Sequence, residues 1–122
     1  MPWATFFDQP YIGVQQAHSL AWLGDHGRAA GGFRTAIERL QAGYHRDRGV
    51  YVAREAIAHA GMGEAEHAAA LGLQALAVGN ETHSARIFSE LVTLQACLGQ
   101  CEGAPNVTDF RTAMDATVMR EA

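Results

Sequence analysis

The sequence predicts an all-α fold, a short solenoid of about three helical hairpins. Three observations carry that expectation. Alanine is the commonest residue, 23 of 122, and runs of β-branched residues are absent, so helix propensity is high almost throughout. Glycine and proline punctuate the chain at fairly regular intervals, with helical periodicity between them. One segment also recurs. Leu23-Gly24-Asp25-His26-Gly27-Arg28-Ala29-x3-Phe33-x2-Ala36 has an echo 39 residues later in Gly63-Glu64-Ala65-Glu66-His67-Ala68-x3-Gly72-x2-Ala75.

The first helix is expected from about Asp8 to Leu23, with Asp8 as N-cap and Pro10 in the first turn, where its missing donor costs nothing. The second spans about Gly27 to Leu40, with Ala29, Phe33, Ala36, Ile37 and Leu40 on one face. The third spans about Arg46 to Ala60, with Val50, Ala53, Ile57 and Ala60 inward. The fourth spans about Glu64 to Val78, with Ala68, Leu71, Ala75 and Val78 inward. The fifth spans about Thr82 to Leu98, with Ile87, Leu91, Leu94 and Leu98 inward. The sixth spans about Asn106 to Met119, capped by Asn106, with Val107, Phe110, Met114 and Val118 inward. In both copies of the echo a Gly ends one helix, a polar turn follows, and small residues sit where two helices must approach closely. A weaker third unit ends at Leu98-Gly99, and the sixth helix caps the stack.

Composition excludes several functions. The net charge is −4, with 13 acidic against 9 basic residues, which argues against direct nucleic-acid binding. All nine basic residues are Arg, so a lysine Schiff base and a phosphate-loop lysine are impossible. No apolar run is long enough to span a membrane, and the N-terminus lacks the basic and apolar regions of a secretory signal. Two cysteines, Cys97 and Cys101, are too few for a disulfide framework, so a reduced, cytoplasmic location is expected. Cys97 is expected to pack in the fifth helix and Cys101 to lie in a loop.

Trp22-Leu23-Gly24 followed by Ala29-x3-Phe33-x2-Ala36 resembles a tetratricopeptide repeat, although the 39-residue spacing exceeds the roughly 34 residues of that unit. The excess sits in the polar stretch Gln41–Asp47. A wider pattern joins it: Trp3-x3-Phe7-Asp8, Arg48-x2-Tyr51, Thr82-x-Ser84-Ala85-Arg86 and Pro105-x-Val107-x2-Phe110-Arg111. As a whole it resembles the C-terminal tetratricopeptide-like domain of actinobacterial Xre-type helix-turn-helix regulators. In that family a DNA-binding domain precedes this region, whereas here only Met1-Pro2 precedes Trp3. The resemblance therefore implies the sensing or interaction half alone, regulatory in type, whose ligands in that family are mostly undefined; the repeat echo itself leads to the expectation of a non-catalytic module that recognises a peptide or partner protein.

Repeat solenoids bind through the surface lined by the first helix of each pair. That surface is expected to carry Tyr11, Val14, His18 and Trp22, then Val50, Ala53, Arg54 and Ile57, then Arg86, Ser89, Glu90 and Thr93. Tyr11 and Trp22 offer broad amphipathic contact, and Arg54 and Arg86 offer planar forks for carboxylates. Tyr11, His18, Trp22, Arg54, Arg86 and Glu90 are the candidate ligand-binding set, suited to a peptide or a small acidic-aromatic ligand. The competing reading makes Tyr11 and Trp22 packing residues and His18 a hydrogen-bonded interior histidine.

No phosphate loop or nucleophile elbow is present, and no cofactor is expected. None of the six histidines forms an i, i+4 pair with another, so no metal site is expected without convergence from several helices; His26 and His67 read as surface residues near turns. Glu55 and His59 stand at i, i+4, a common surface pairing. The alternative function is a small helical enzyme or accessory protein of peptide or natural-product maturation, with His18 or Asp8 as general base in the groove. Trp3, Phe6 and Phe7 could pack on the first hairpin or on a second subunit, which favours a homodimer.

Overall fold

The computed structural model describes residues 17–41, 43–99 and 104–121, and these are all-helical, with no strand among them. Helix α1 is described over 17–22. It is followed by α2 (His26–Arg39), α3 (His45–Gly61), α4 (Ala65–Thr82), α5 (Ala85–Cys97) and α6 (Pro105–Glu121). Asp8, Tyr11, Cys101 and the apolar N-terminal trio lie outside the described residues.

The turns repeat one device. After α1, Gly24 takes φ +83°, its N–H donates to Ala21 O at 3.1 Å, and the Asp25 N–H donates to Leu20 O at 2.9 Å. After α3, Gly63 takes φ +79°, with matching bonds to Ala60 O at 3.0 Å and from Glu64 to His59 O at 3.0 Å. A left-handed residue that closes a helix with this pair of bonds reverses the chain within a few residues. Glycine adopts that conformation without the Cβ penalty, which is why the echo places Gly at both positions. The echoed positions Ala29 and Ala68, Phe33 and Gly72, and Ala36 and Ala75 are all buried. A further step of 39 residues lands on Val107, Arg111 and Met114, of which Val107 and Met114 are buried.

α3 packs against α2, α4 and α5, and α4 packs against α3, α5 and α6. Each of these two helices therefore touches its sequence neighbours and the helix two further on. Two arginines pin helix ends from the opposite wall of a connection. Arg48 in the first turn of α3 donates to Leu40 O at 3.3 Å, and Arg111 of α6 donates to Leu98 O at 2.6 Å. Both carbonyls cap a preceding helix, where the orphaned acceptors favour a cation.

Five expectations are corrected. α4 runs to Thr82 instead of ending near Val78, because Gly79 is an interior contact and not a terminator. A Cβ there would come within 3.0 Å of Ile87 Cγ2. The left-handed His83 (φ 52°) ends α4, and α5 accordingly starts at Ala85, with the Ser84 hydroxyl accepting the Ile87 N–H at 3.2 Å. At the start of α6, Pro105 is the first helical residue and Asn106 is inside the helix. Glu66 of α4 reaches across instead, accepting the Asn106 N–H at 2.8 Å. Val118 is exposed; the core stripe of α6 continues through Thr117, whose hydroxyl donates to Ala113 O at 3.0 Å. Cys97 is exposed, one helical step off the Leu91–Leu94–Leu98 stripe.

Candidate functional site

α1, α3 and α5 converge on one face, and a pocket of about 310 Å³ opens between them. α1 contributes His18, Ala21 and Trp22; α3 contributes Arg54, Ile57 and Ala58; α5 contributes Glu90 and Thr93. Phe33 and His26 of α2 complete the lining. The spacing explains the selection: Arg54, Ile57 and Ala58 share one side of α3, and Glu90 and Thr93 share one side of α5.

Most of the lining is hydrocarbon, with a few polar groups at defined places, the usual make-up of a ligand site. Arg54 Nε donates to Glu90 Oε1 at 3.2 Å, bridging α3 and α5. The two side chains are 16% and 24% exposed, so the pair is partly shielded from water yet open to the pocket. The Arg54 guanidinium carries five N–H donors, and this bond uses one. Trp22 is 86% exposed, so it stands at the rim and the packing reading for it fails. His18 is exposed beside it and not an interior histidine, and no carboxylate partner for it is found among the described residues.

Four of the candidate residues, His18, Trp22, Arg54 and Glu90, are thus brought together. Arg86 is exposed on α5 and lines neither this pocket nor the second one described below. Val50 and Ala53, expected on the same surface, are instead buried in the core.

His26, expected at the surface near a turn, is instead partly buried. Its ring lies over Gly61 at the end of α3, where a Cβ would come within 2.6 Å of the imidazole. Its Nδ1 is buried without a hydrogen-bond partner among the described residues, and the ring lines the pocket. A buried polar atom left unpaired is costly, and this nitrogen is packed against Gly61 with no surface open to the pocket. The signal lay in the pairing of His26 with a glycine 35 residues on, which only the folded turn brings into contact.

A second depression of about 370 Å³, between α5 and α6, is lined by His83, Ala85, Phe88, Val92, Met114, Thr117 and Val118 and holds no ion pair. On another side of α3, Glu55, His59 and His67 bring possible metal-ligand atoms within 4.8 Å of one another. No described helix is long and apolar enough to cross a membrane.

Fold and site together define an all-helical protein with a partly apolar pocket where alternate helices meet. Comparison with protein families, with curated proteins and with solved structures finds no match for the chain.

Proposed function

We propose that the chain is a non-catalytic, tetratricopeptide-like binding module that recognises a peptide or partner protein through the pocket between α1, α3 and α5. One observation carries the reading: an exposed tryptophan and a partly shielded arginine–glutamate pair border one largely apolar pocket. The twofold turn device at a 39-residue interval, and the contacts of α3 with α5 and of α4 with α6, support the solenoid part of it. An apolar or aromatic side chain enters against Phe33, Ile57 and Ala58. An acidic group of the ligand meets the free donors of Arg54, and Trp22 covers the entering chain. The regulatory character, and the likeness to the interaction half of Xre-type regulators, belong to the same proposal.

The test is an NMR titration with N-acetyl-phenylalanine and N-acetyl-tryptophan, each as the free acid and as the amide. The expected result is saturable shifts at Trp22, Ile57 and Thr93, stronger for the acids. Arg54→Gln should erase the preference for acids, and Trp22→Ala should weaken all four ligands. No shift at millimolar ligand, or shifts indifferent to both substitutions, would sink the assignment.

A further inference from the structure

We propose that Glu55, His59 and His67 form a binding site for a divalent transition-metal ion of the zinc type, with Glu64 as its supporting carboxylate. The proposal is independent of the pocket. On a helix of about 100° per residue, Glu55 and His59 point roughly 125° around α3 from Arg54, Ile57 and Ala58.

The chain builds the site from the α3–α4 turn. Glu55 and His59 lie one turn apart on α3, the left-handed Gly63 reverses the backbone, and Glu64 and His67 follow at the start of α4. His59 Nε2 is 3.0 Å from Glu55 Oε2, and His59 Nδ1 is 2.6 Å from Glu64 Oε2. The His67 ring stacks on His59 with centroids 4.0 Å apart, and its Nδ1 is 3.9 Å from the same Glu64 oxygen.

Three features point to a metal and not to an ordinary ion-pair cluster. The first is charge. Glu55 is only 5% exposed, and the partners found for both carboxylates among the described residues are these imidazoles, with no arginine. A buried carboxylate needs compensation, and with neutral rings the cluster carries two negative charges that a dication cancels. The second is the donor set, two imidazoles and a carboxylate, which suits zinc and leaves a coordination position for water. The third is the contact from His59 Nδ1 to Glu64. A ligating histidine characteristically donates its other N–H to a carboxylate, which fixes the tautomer and turns the remaining lone pair towards the ion.

With the single N–H of a neutral His59 ring on Nδ1 and directed at Glu64, the Nε2 lone pair and the Glu55 carboxylate face each other at 3.0 Å, and the metal enters between them. Ligand atoms around one zinc lie within about 3.5 Å of each other, so the cluster must tighten by about 1 Å. The His67 side chain, 49% exposed on the first turn of α4, has room for that movement.

The test is isothermal titration of the chelator-stripped, full-length chain with ZnSO₄, alongside a thermal melt and the visible spectrum of bound Co²⁺. The expected result is one ion per chain, a raised melting temperature, and the intense visible bands of four-coordinate cobalt. His67→Ala changes a half-exposed side chain and should leave the fold intact by circular dichroism while lowering affinity at least tenfold. Glu64→Gln should lower it about ten- to a hundredfold. His45→Ala, His83→Ala and Cys97→Ser should change nothing. No stoichiometric binding at micromolar zinc, or binding that survives His67→Ala, overturns the site. Binding lost in His45→Ala, His83→Ala or Cys97→Ser overturns it equally, since the ion would then sit elsewhere.

Discussion

The core beneath α2 consists of five alanines around Phe33, whereas the core shared by α3 to α6 holds Ile87, Leu91, Leu94, Leu98, Val107, Phe110 and Met114 as well as alanines. Large aliphatic side chains fill the space between helices and lock them at a fixed distance. Alanines bring helices close, but their methyl groups do not reach sideways to close the margins of the contact. The pocket opens at that margin, walled by Ala21, Ala58 and Phe33 of the alanine core or its edge. The large core side chains are thus concentrated in one half, and the pocket lies where the alanine-rich half borders it, in keeping with the tendency of binding regions to adjoin the less stable parts of a fold.

The comparison can be broken or sharpened by substitution. Phe110→Ala should produce the largest loss, about 3–5 kcal/mol, because Phe110 is fully buried and the surroundings cannot collapse into the void. Phe33→Ala should lie at the lower end of that range, about 3 kcal/mol, since its void joins an existing pocket. Urea denaturation of both variants checks the order, and an equal or larger loss for Phe33 would undo the division.

Two glycines offer a change of sign. A Cβ on Gly72 would lie 2.7 Å from Leu94 Cδ2 and 3.0 Å from Phe110 Cε1, and neither buried side chain has room to yield. Overpacking should outweigh the gain in helix propensity, for a net loss of about 1–2 kcal/mol in Gly72→Ala. Gly31, mid-helix in α2, has nothing within 4 Å of a Cβ, so Gly31→Ala should stabilise by about 0.5–1 kcal/mol. Thermal melts of the pair suffice. Arg54→Gln should cost about 1 kcal/mol, because water can reach the Glu90 it leaves behind. The smallest effect belongs to Trp22→Ala, within about 0.5 kcal/mol of the parent protein, since the side chain stands in solvent. A larger loss would return Trp22 to a packing role.

Much of the helical order could be read from periodicity because alanine-rich, glycine-punctuated stretches leave few alternatives. α2 and α3 fall within one residue of expectation at each end. The failures share a cause. Gly79 resembles the terminators Gly24 and Gly63 in sequence, and only the presence of Ile87 against it shows that it serves contact instead. Val118 and Thr117 are neighbours on α6, and which one faces the core depends on a helix phase that composition does not specify. Of the site, the meeting of His18, Trp22, Arg54 and Glu90 followed from placing the first helix of each pair on one surface. Arg86 did not follow, because it lies one turn before Glu90 and the pocket ends short of it. The Glu55–His59 pair was legible at i, i+4, but its burial, the addition of His67 and the place of His26 were not, for a geometric reason. They depend on which way side chains point after a chain reversal, and spacing along a helix says nothing about the far side of a turn.

The alanine lining also has a thermodynamic side. A methyl group has no rotamers to lose, so seating these alanines between α2 and α3 costs backbone entropy alone. Alanine methyls return little buried area, so Phe33 supplies most of what this contact buries. On the proposed reading, a ligand held against Phe33, Ile57 and Trp22 stabilises the form in which α2 and α3 are in contact. At a hundred times its dissociation constant, mass action adds about 2.7 kcal/mol to that form. Occupancy and order in this half of the molecule are then two readings of one equilibrium, and amide exchange in α2 would slow as the pocket fills.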